Sequence, residues 1–329
     1  MKIRNLGRGG LEVSAIGLGC MGMSQDYGPA DEGRCTATVH QALDLGVTLL
    51  DTSMSYGAGE NEKLVGRAIA GRRDEVVLAT KFGIVRDKPG DPARINARPD
   101  DIRRYCDASL QRLGVNHIDL YYLHRADPQV PVEDSVGTMA ELVAAGKVRH
   151  LGLSEMTMPE LRRAASVHPI AALQYEWSLS WREIEDDVVP FARSHGIGVV
   201  AFSPLGRGFL TGALDFAALG PDDDRLPDQR FHGEHLTANT ALLSELVALA
   251  VDYRVTPGQL ALAWVLAQGD DVVAIPGTTN PDRIRENADA AALTLSQADL
   301  DRMEKHVSRT AWSGDRHSYA VPRTTRAAA

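Results

Sequence analysis

Little in this chain supports covalent cross-linking, membrane insertion or nucleic-acid binding. Only three cysteines occur in 329 residues, Cys20, Cys35 and Cys106, and none forms a C-x-x-C pair. A disulfide framework is therefore excluded and reduced thiols are expected. No apolar run approaches the ~20 residues of a membrane span, and Met1-Lys2-Ile3-Arg4-Asn5-Leu6-Gly7 lacks the apolar core of a secretory signal. A cytoplasmic location is the expectation. Lys and Arg number 35 against 44 Asp and Glu, a net charge of -9, and the basic residues are scattered. That disfavours a surface tracking phosphates, so no nucleic-acid partner is expected. Metal chemistry is also poorly supported. His232-Gly233-Glu234-His235 has the wrong spacing for H-E-x-x-H, and Asp222-Asp223-Asp224 has no spaced partner ligands and reads as a solvated loop.

The composition, 44% hydrophobic and 24% charged, is that of a globular protein able to bury a large core. Arg4-Asn5-Leu6 and Leu11-Glu12-Val13-Ser14 flank Gly7-Arg8-Gly9-Gly10 and read as a β-hairpin. Strands are then expected at 16–19, 48–50, 76–80, 118–123, 147–154, 171–175, 198–202 and 272–275. Helices at 34–45, 60–69, 100–113, 132–145, 159–166 and 184–194 alternate with them. Eight such repeats predict an α/β fold, a (β/α)8 barrel with the hairpin plugging its amino-terminal end and extra C-terminal helices, as one domain over 1–329. The longest interruption, 203–239, is rich in Gly, Pro and Asp and reads as a lid or binding loop. Helices at 240–253, 257–268, 281–290 and 296–306 come later, a C-terminal tail runs from about 307, and Arg323 to Ala329 are expected to fray.

Active sites of such barrels lie at the carboxyl ends of the strands. Three of those ends carry ionisable groups. Val47-Thr48-Leu49-Leu50 leads into Asp51-Thr52-Ser53-Met54-Ser55-Tyr56-Gly57, Val76 to Thr80 leads into Lys81, and Ile118 to Leu123 leads into His124. Asp, Tyr, Lys and His should converge on one face. In this order and setting the chain resembles the aldo-keto reductases, whose signature is a D-x-x-x-x-Y-G loop, a strand-end Lys and a strand-end His. The resemblance extends from Gly17-Leu18-Gly19-Cys20-Met21-Gly22 to Ile275-Pro276-Gly277-Thr278-Thr279.

The resemblance implies a reductase of aldehydes or ketones that uses NADPH, with NADH possible. It implies Tyr56 as proton donor, Lys81 beside it to favour phenolate, Asp51 to hold Lys81 charged, and His124 to orient the carbonyl. For the cofactor it implies Gly19, Cys20, Met21, Asp51, Ser154, Gln174 and Trp177, with the Trp177 ring stacked on the nicotinamide. It adds Ser203, Pro204, Leu205, Gly206 and Gly208 after the seventh strand, and Gly277, Thr278, Arg283, Glu286 and Asn287 after the eighth, where barrels bind phosphate. Cys20 taken alone reads as a small packing residue, and Tyr121 and Tyr122 read as structural. Two departures stand out: Gly277 replaces a common Lys, and Glu155 replaces the Asn that often follows the fifth-strand Ser. The other readings are a cofactor-binding regulatory subunit with slow turnover, or a lyase or isomerase on the same fold. Substrate-facing loops are expected near 21–27, 53–55, 84–86, Trp177 and 226–236.

Overall fold

The computed structural model describes residues 1–316 apart from 26, 29 and 222. Strands β1 (Ile3–Leu6) and β2 (Leu11–Ser14) form the antiparallel hairpin. The chain then runs through β3 (Leu18–Gly19), α1 (Glu32–Asp44), β4 (Leu49–Asp51), α2 (Glu60–Ala68) and β5 (Val77–Phe82). A small hairpin of β6 (Ile84–Val85) and β7 (Arg94–Ile95) precedes α3 (Pro99–Leu113). The alternation resumes with β8 (Ile118–Leu123), α4 (Val132–Ala144), β9 (Val148–Ser154), α5 (Met158–Ala165), β10 (Ala172–Glu176), α6 (Val188–His195) and β11 (Gly198–Phe202). Helices α7 (Gly233–Tyr253) and α8 (Pro257–Ala267) lead to β12 (Val272–Ile275), followed by α9 (Pro281–Asp289) and α10 (Gln297–His306).

Eight parallel strands pair in the order β12-β11-β10-β9-β8-β5-β4-β3. The parallel bridges Ile16–Ala274 and Gly19–Gly277 join the two edges into a barrel. Glycine is required at this seam. A Cβ on Gly17 would lie 2.9 Å from the Leu49 carbonyl oxygen, and one on Gly19 would lie 2.8 Å from that of Ile275. The run Gly17 to Gly22 carries the G-x-G-x-x-G spelling of a dinucleotide fingerprint, but here its glycines close a barrel instead of opening a helix after a Rossmann strand.

Side chains alternate inward and outward along each strand. The inner set comprises Leu49, Ala79, Leu120, Tyr122, Ala172, Val200, Val273 and Ile275, and the hairpin residues Leu6, Leu11 and Val13 cap it from below. The plug is thus where the sequence places it. Outward residues such as Leu123, Leu153, Leu173 and Val199 join the larger core beneath the helices. Continuing the inward register by two residues places Asp51 after Leu49, Lys81 after Ala79, His124 after Tyr122 and Gln174 after Ala172, all at the same mouth.

One expectation is corrected. Helix α7 begins at Gly233, seven residues before the expected start, because Asn239 is held by tertiary bonds: its Nδ2 donates to the carbonyls of Arg230 and Ser313. The tail packs on the barrel where it begins. Val307 and Trp312 are buried and Arg316 reaches the barrel mouth, while Arg323 to Ala329 lie outside the described residues.

The interior tolerates no added volume at Gly152, where a Cβ would lie 2.4 Å from ring atoms of the fully buried Tyr122. Gly152→Ala is expected to cost at least about 2 kcal/mol through overpacking. Gly137→Ala, in α4 with open space around its Cβ, is expected to gain up to about 1 kcal/mol of helix propensity. Thermal unfolding of both variants checks the contrast.

Candidate active site

The loop after β4 is shaped by left-handed backbone at Gly57, Ala58 and Gly59, with φ of 55°, 52° and 96°. At Ala58 this is an uncommon conformation for a residue with a Cβ, of the kind that gathers at functional sites. Asn61 on α2 anchors the loop from behind: Thr52 Oγ1 donates to its Oδ1 at 2.6 Å, and its Nδ2 donates to the Cys20 carbonyl at 2.8 Å. Tyr56 is thereby delivered to the mouth of the barrel, where its hydroxyl meets Lys81.

Lys81 is fully buried. Its Nζ pairs with Asp51, donates to the Thr52 carbonyl at 2.9 Å and lies 3.2 Å from Tyr56 Oη. Burial alone would discharge the ammonium, but Asp51, with Tyr56 adding to it, more than offsets that and raises the pKa. Gln174 Nε2 donates to the second Asp51 oxygen at 2.8 Å, so the carboxylate is held on both sides. His124 stands edge-on to Tyr56, ring centroids 6.0 Å apart, and its Nδ1 is 3.3 Å from Ser53 Oγ. Burial, then the charges of Arg125, Lys81 and Arg86, push its pKa well below the ordinary value, so at neutral pH the ring is uncharged and carries one N–H.

A histidine depressed in the folded state binds its proton more readily when unfolded. Its contribution therefore makes stability fall as pH drops below ~6.5, the unfolded value, until the folded pKa is reached. His124→Asn is expected to flatten the stability-against-pH slope in that window by up to about 1.4 kcal/mol per pH unit, one proton's worth. Urea unfolding at several pH values reads the slope directly.

Asp51, Tyr56, His124 and Gln174 form one wall of a cavity of about 740 Å³ that runs along the barrel mouth to the far ends of β11 and β12, with Lys81 buried behind them. Of the residues expected to hold a nucleotide, Gly19, Met21, Asp51, Ser154, Gln174, Ser203, Pro204, Leu205, Gly208, Gly277, Thr278, Arg283, Glu286 and Asn287 line it. Three do not. Cys20 is buried, with Sγ against the Leu18 carbonyl and its thiol pKa raised by burial. Gly206 is a buried left-handed turn residue that shapes the loop. Trp177 points the other way: it is buried on the outside of the sheet, edge-on to Trp264, and donates from Nε1 to Glu185 at 2.9 Å. Alternation explains this, since Gln174 faces inward and Trp177 is an odd number of residues further on. Besides Tyr27 and Tyr56, the aromatic ring that lines the cavity is Phe202 at the end of β11, two residues beyond the inward Val200. The same alternation applied to Gly198-Val199-Val200-Ala201-Phe202 identifies it.

The segment 226–236 does not line the cavity either. Phe231 packs on Phe209 and Phe216, and Arg230 is bound by Asp228 and Glu176. Glu155 adopts left-handed φ of 54° and pairs with Arg316, a residue of the C-terminal tail. Arg316 also contacts Glu176, whose pKa falls to about 2 because Arg230, Arg207 and Arg316 overcome the cost of its burial. These charges tie the loop after β11, the 228–231 turn and the C-terminal segment to the ends of β9 and β10. Among the described residues no cluster of His, Cys, Asp and Glu could hold a metal ion, and no helix is long and apolar enough to cross a membrane.

The profile of the Aldo/keto reductase family matches residues 15–308. The chain belongs to that family. A probable aldo-keto reductase 1 of Glycine max is 44% identical over 298 residues, covering 90% of this chain and 86% of the relative. The glycerol dehydrogenase of Gluconobacter oxydans superimposes with a TM-score of 0.85 at 30% identity, covering 93% of this chain and 96% of that one. An aldo/keto reductase of Klebsiella pneumoniae, solved with NADP and acetate, gives 0.72 at 27% identity over 96% of this chain and 99% of that one. This aldo-keto reductase is accordingly an NAD(P)H-dependent oxidoreductase on a (β/α)8 barrel.

Proposed function

We propose that this protein reduces aldehydes or ketones to alcohols with NADPH, taking the proton from Tyr56. The observation that carries the reading is the placement of Lys81 Nζ, held by buried Asp51 and 3.2 Å from Tyr56 Oη, beside a neutral His124 on one cavity wall. The cavity fits an elongated nucleotide. It has the inward Gln174, Ser154 and Phe202 near the catalytic groups, a turn-rich loop at Ser203 to Gly208, and Arg283 at the far end, where a guanidinium suits a 2′-phosphate. With Gly277 in place of a lysine, that selectivity rests on Arg283 and Thr278. When bound, the nicotinamide supplies the hydride.

The residues supply the rest. The neutral His124 donates its N–H to the carbonyl oxygen and aims the substrate. As charge develops on that oxygen, Tyr56 gives up its proton, and the ammonium of Lys81 stabilises the phenolate left behind. Asp51 and Gln174 keep Lys81 charged and fixed. Water then returns the proton to Tyr56.

Fluorescence titration with NADPH and separately with NADH, followed by addition of a reactive aromatic aldehyde, tests the reading. Tighter NADPH binding and aldehyde-dependent loss of the reduced-nicotinamide absorbance are expected. Binding without turnover would overturn the catalytic assignment, and binding of neither nucleotide would overturn the cofactor site.

A further inference from the structure

Two of the arginines that line the cavity, Arg125 and Arg86, stand beside His124 and away from the loops suited to a nucleotide's phosphates. Arg125 follows β8, and Arg86 follows β5 on the short hairpin; both line the cavity at the catalytic end. Arg125 donates to the His124 carbonyl at 2.6 Å and to Ser154 Oγ at 3.2 Å, and Arg86 to the Asp91 carbonyl at 2.7 Å. Among the described residues neither makes an ion pair. Glu155, the carboxylate that acts most on Arg125, is already bound by Arg316, with Nη1 to Oε1 at 3.0 Å. The only carboxylates lining the cavity among the described residues are Asp51, which Lys81 occupies, and Glu286, which accepts from Thr256.

A nucleotide does not supply the missing anion at this place. The loops suited to its phosphates follow β11 and β12, and β9 and β10 stand between β8 and β11 in the sheet. Arg125 therefore lies across the mouth from them. A largely buried guanidinium without a carboxylate is costly to keep, and its planar fork matches a carboxylate with two parallel hydrogen bonds.

We propose that Arg125, assisted by Arg86, binds a carboxylate on the substrate, so that the preferred substrates are carbonyl compounds bearing an acid group. This rests on the reductase reading above. Arg125 also supports Ser154, so a loss common to all substrates is expected of its replacement; the discriminating quantity is the ratio of kcat/KM for an acid to that for its neutral ester.

The test compares 4-carboxybenzaldehyde with methyl 4-formylbenzoate in the native protein, Arg125→Gln and Arg125→Lys, following NADPH oxidation at low salt. The native ratio is expected to favour the acid by about tenfold or more. In Arg125→Gln it should fall about 30-fold, chiefly through KM, the size of one charge-assisted hydrogen bond. Arg125→Lys should fall between. A native ratio near one, or the same ratio in native protein and Arg125→Gln, would overturn the proposal. If neither aldehyde consumes NADPH, the failure belongs to the reductase reading, and calorimetric binding of benzoate against benzamide decides the anion site separately. Benzoate binding that weakens in Arg125→Gln would support the site; equal binding of benzoate and benzamide would refute it.

Discussion

Tyr56→Phe is expected to bind NADPH within about threefold of the native protein yet lose on the order of 10³-fold in kcat, the scale of a positioned general acid. The ring keeps its place because its position is set by the left-handed turn at Gly57 to Gly59 and by the edge contact with His124, neither of which needs the hydroxyl. Lys81 keeps two of its three partners, Asp51 and the Thr52 carbonyl, so the ammonium is not stranded. The loss should therefore fall on the chemical step and not on folding. Single-turnover reduction of an aldehyde by pre-bound NADPH, with nucleotide affinity measured in parallel, separates the two. A variant that reduced the aldehyde at the native rate would remove Tyr56 from the role of acid. The effect should also differ in kind from that of replacing His124, since a misaimed carbonyl raises KM as well as lowering kcat.

The barrel and the four proposed catalytic groups are legible in the sequence because both rest on local pattern. Apolar runs of strand length ending in Asp51, Lys81 and His124 mark where strands emerge, and alternation then decides which way each side chain points. The same rule at β10 turns Trp177 outward, and at β11 it turns Phe202 inward. Family likeness suggests an aromatic near the nicotinamide, but the parity of the strand determines which aromatic can face the cavity. Other features are illegible for a different reason. The pairing of Arg316 with Glu155 and Glu176 spans 161 and 140 residues, and no local pattern encodes a contact of that separation. Arg125 stands next to His124 in the chain, yet its proposed role depends on its making no ion pair among the described residues, which only the fold reveals. The β6 and β7 hairpin escapes because strands of two residues carry no periodicity.

The Asp51–Lys81 pair invites a sharper test than either residue alone. Lys81→Met should abolish detectable turnover and also destabilise the protein by about 3–5 kcal/mol, because it leaves the Asp51 carboxylate buried with only Gln174 and no counter-charge. Asp51→Asn should cost a similar amount by leaving the Lys81 ammonium unpaired. Its activity should recover partly at high pH only if the lysine's charge is dispensable, which the Tyr56 contact at 3.2 Å argues against. The double variant Asp51→Asn/Lys81→Met removes both charges and the cost of burying them. Replacing a buried pair by neutral groups of similar size is often close to neutral for stability, so the double variant should unfold near the native midpoint while remaining inactive. The coupling energy in stability should be several kcal/mol, and activity should be strongly non-additive too, the double variant losing no more than either single, since Lys81→Met removes the cation that stabilises the Tyr56 phenolate and Asp51→Asn removes the carboxylate that holds it. Denaturant unfolding of the four proteins, with aldehyde reduction measured on the same samples, checks both halves. Restored stability with restored activity would show that the pair serves the fold alone, and the catalytic reading of Lys81 would fall with it.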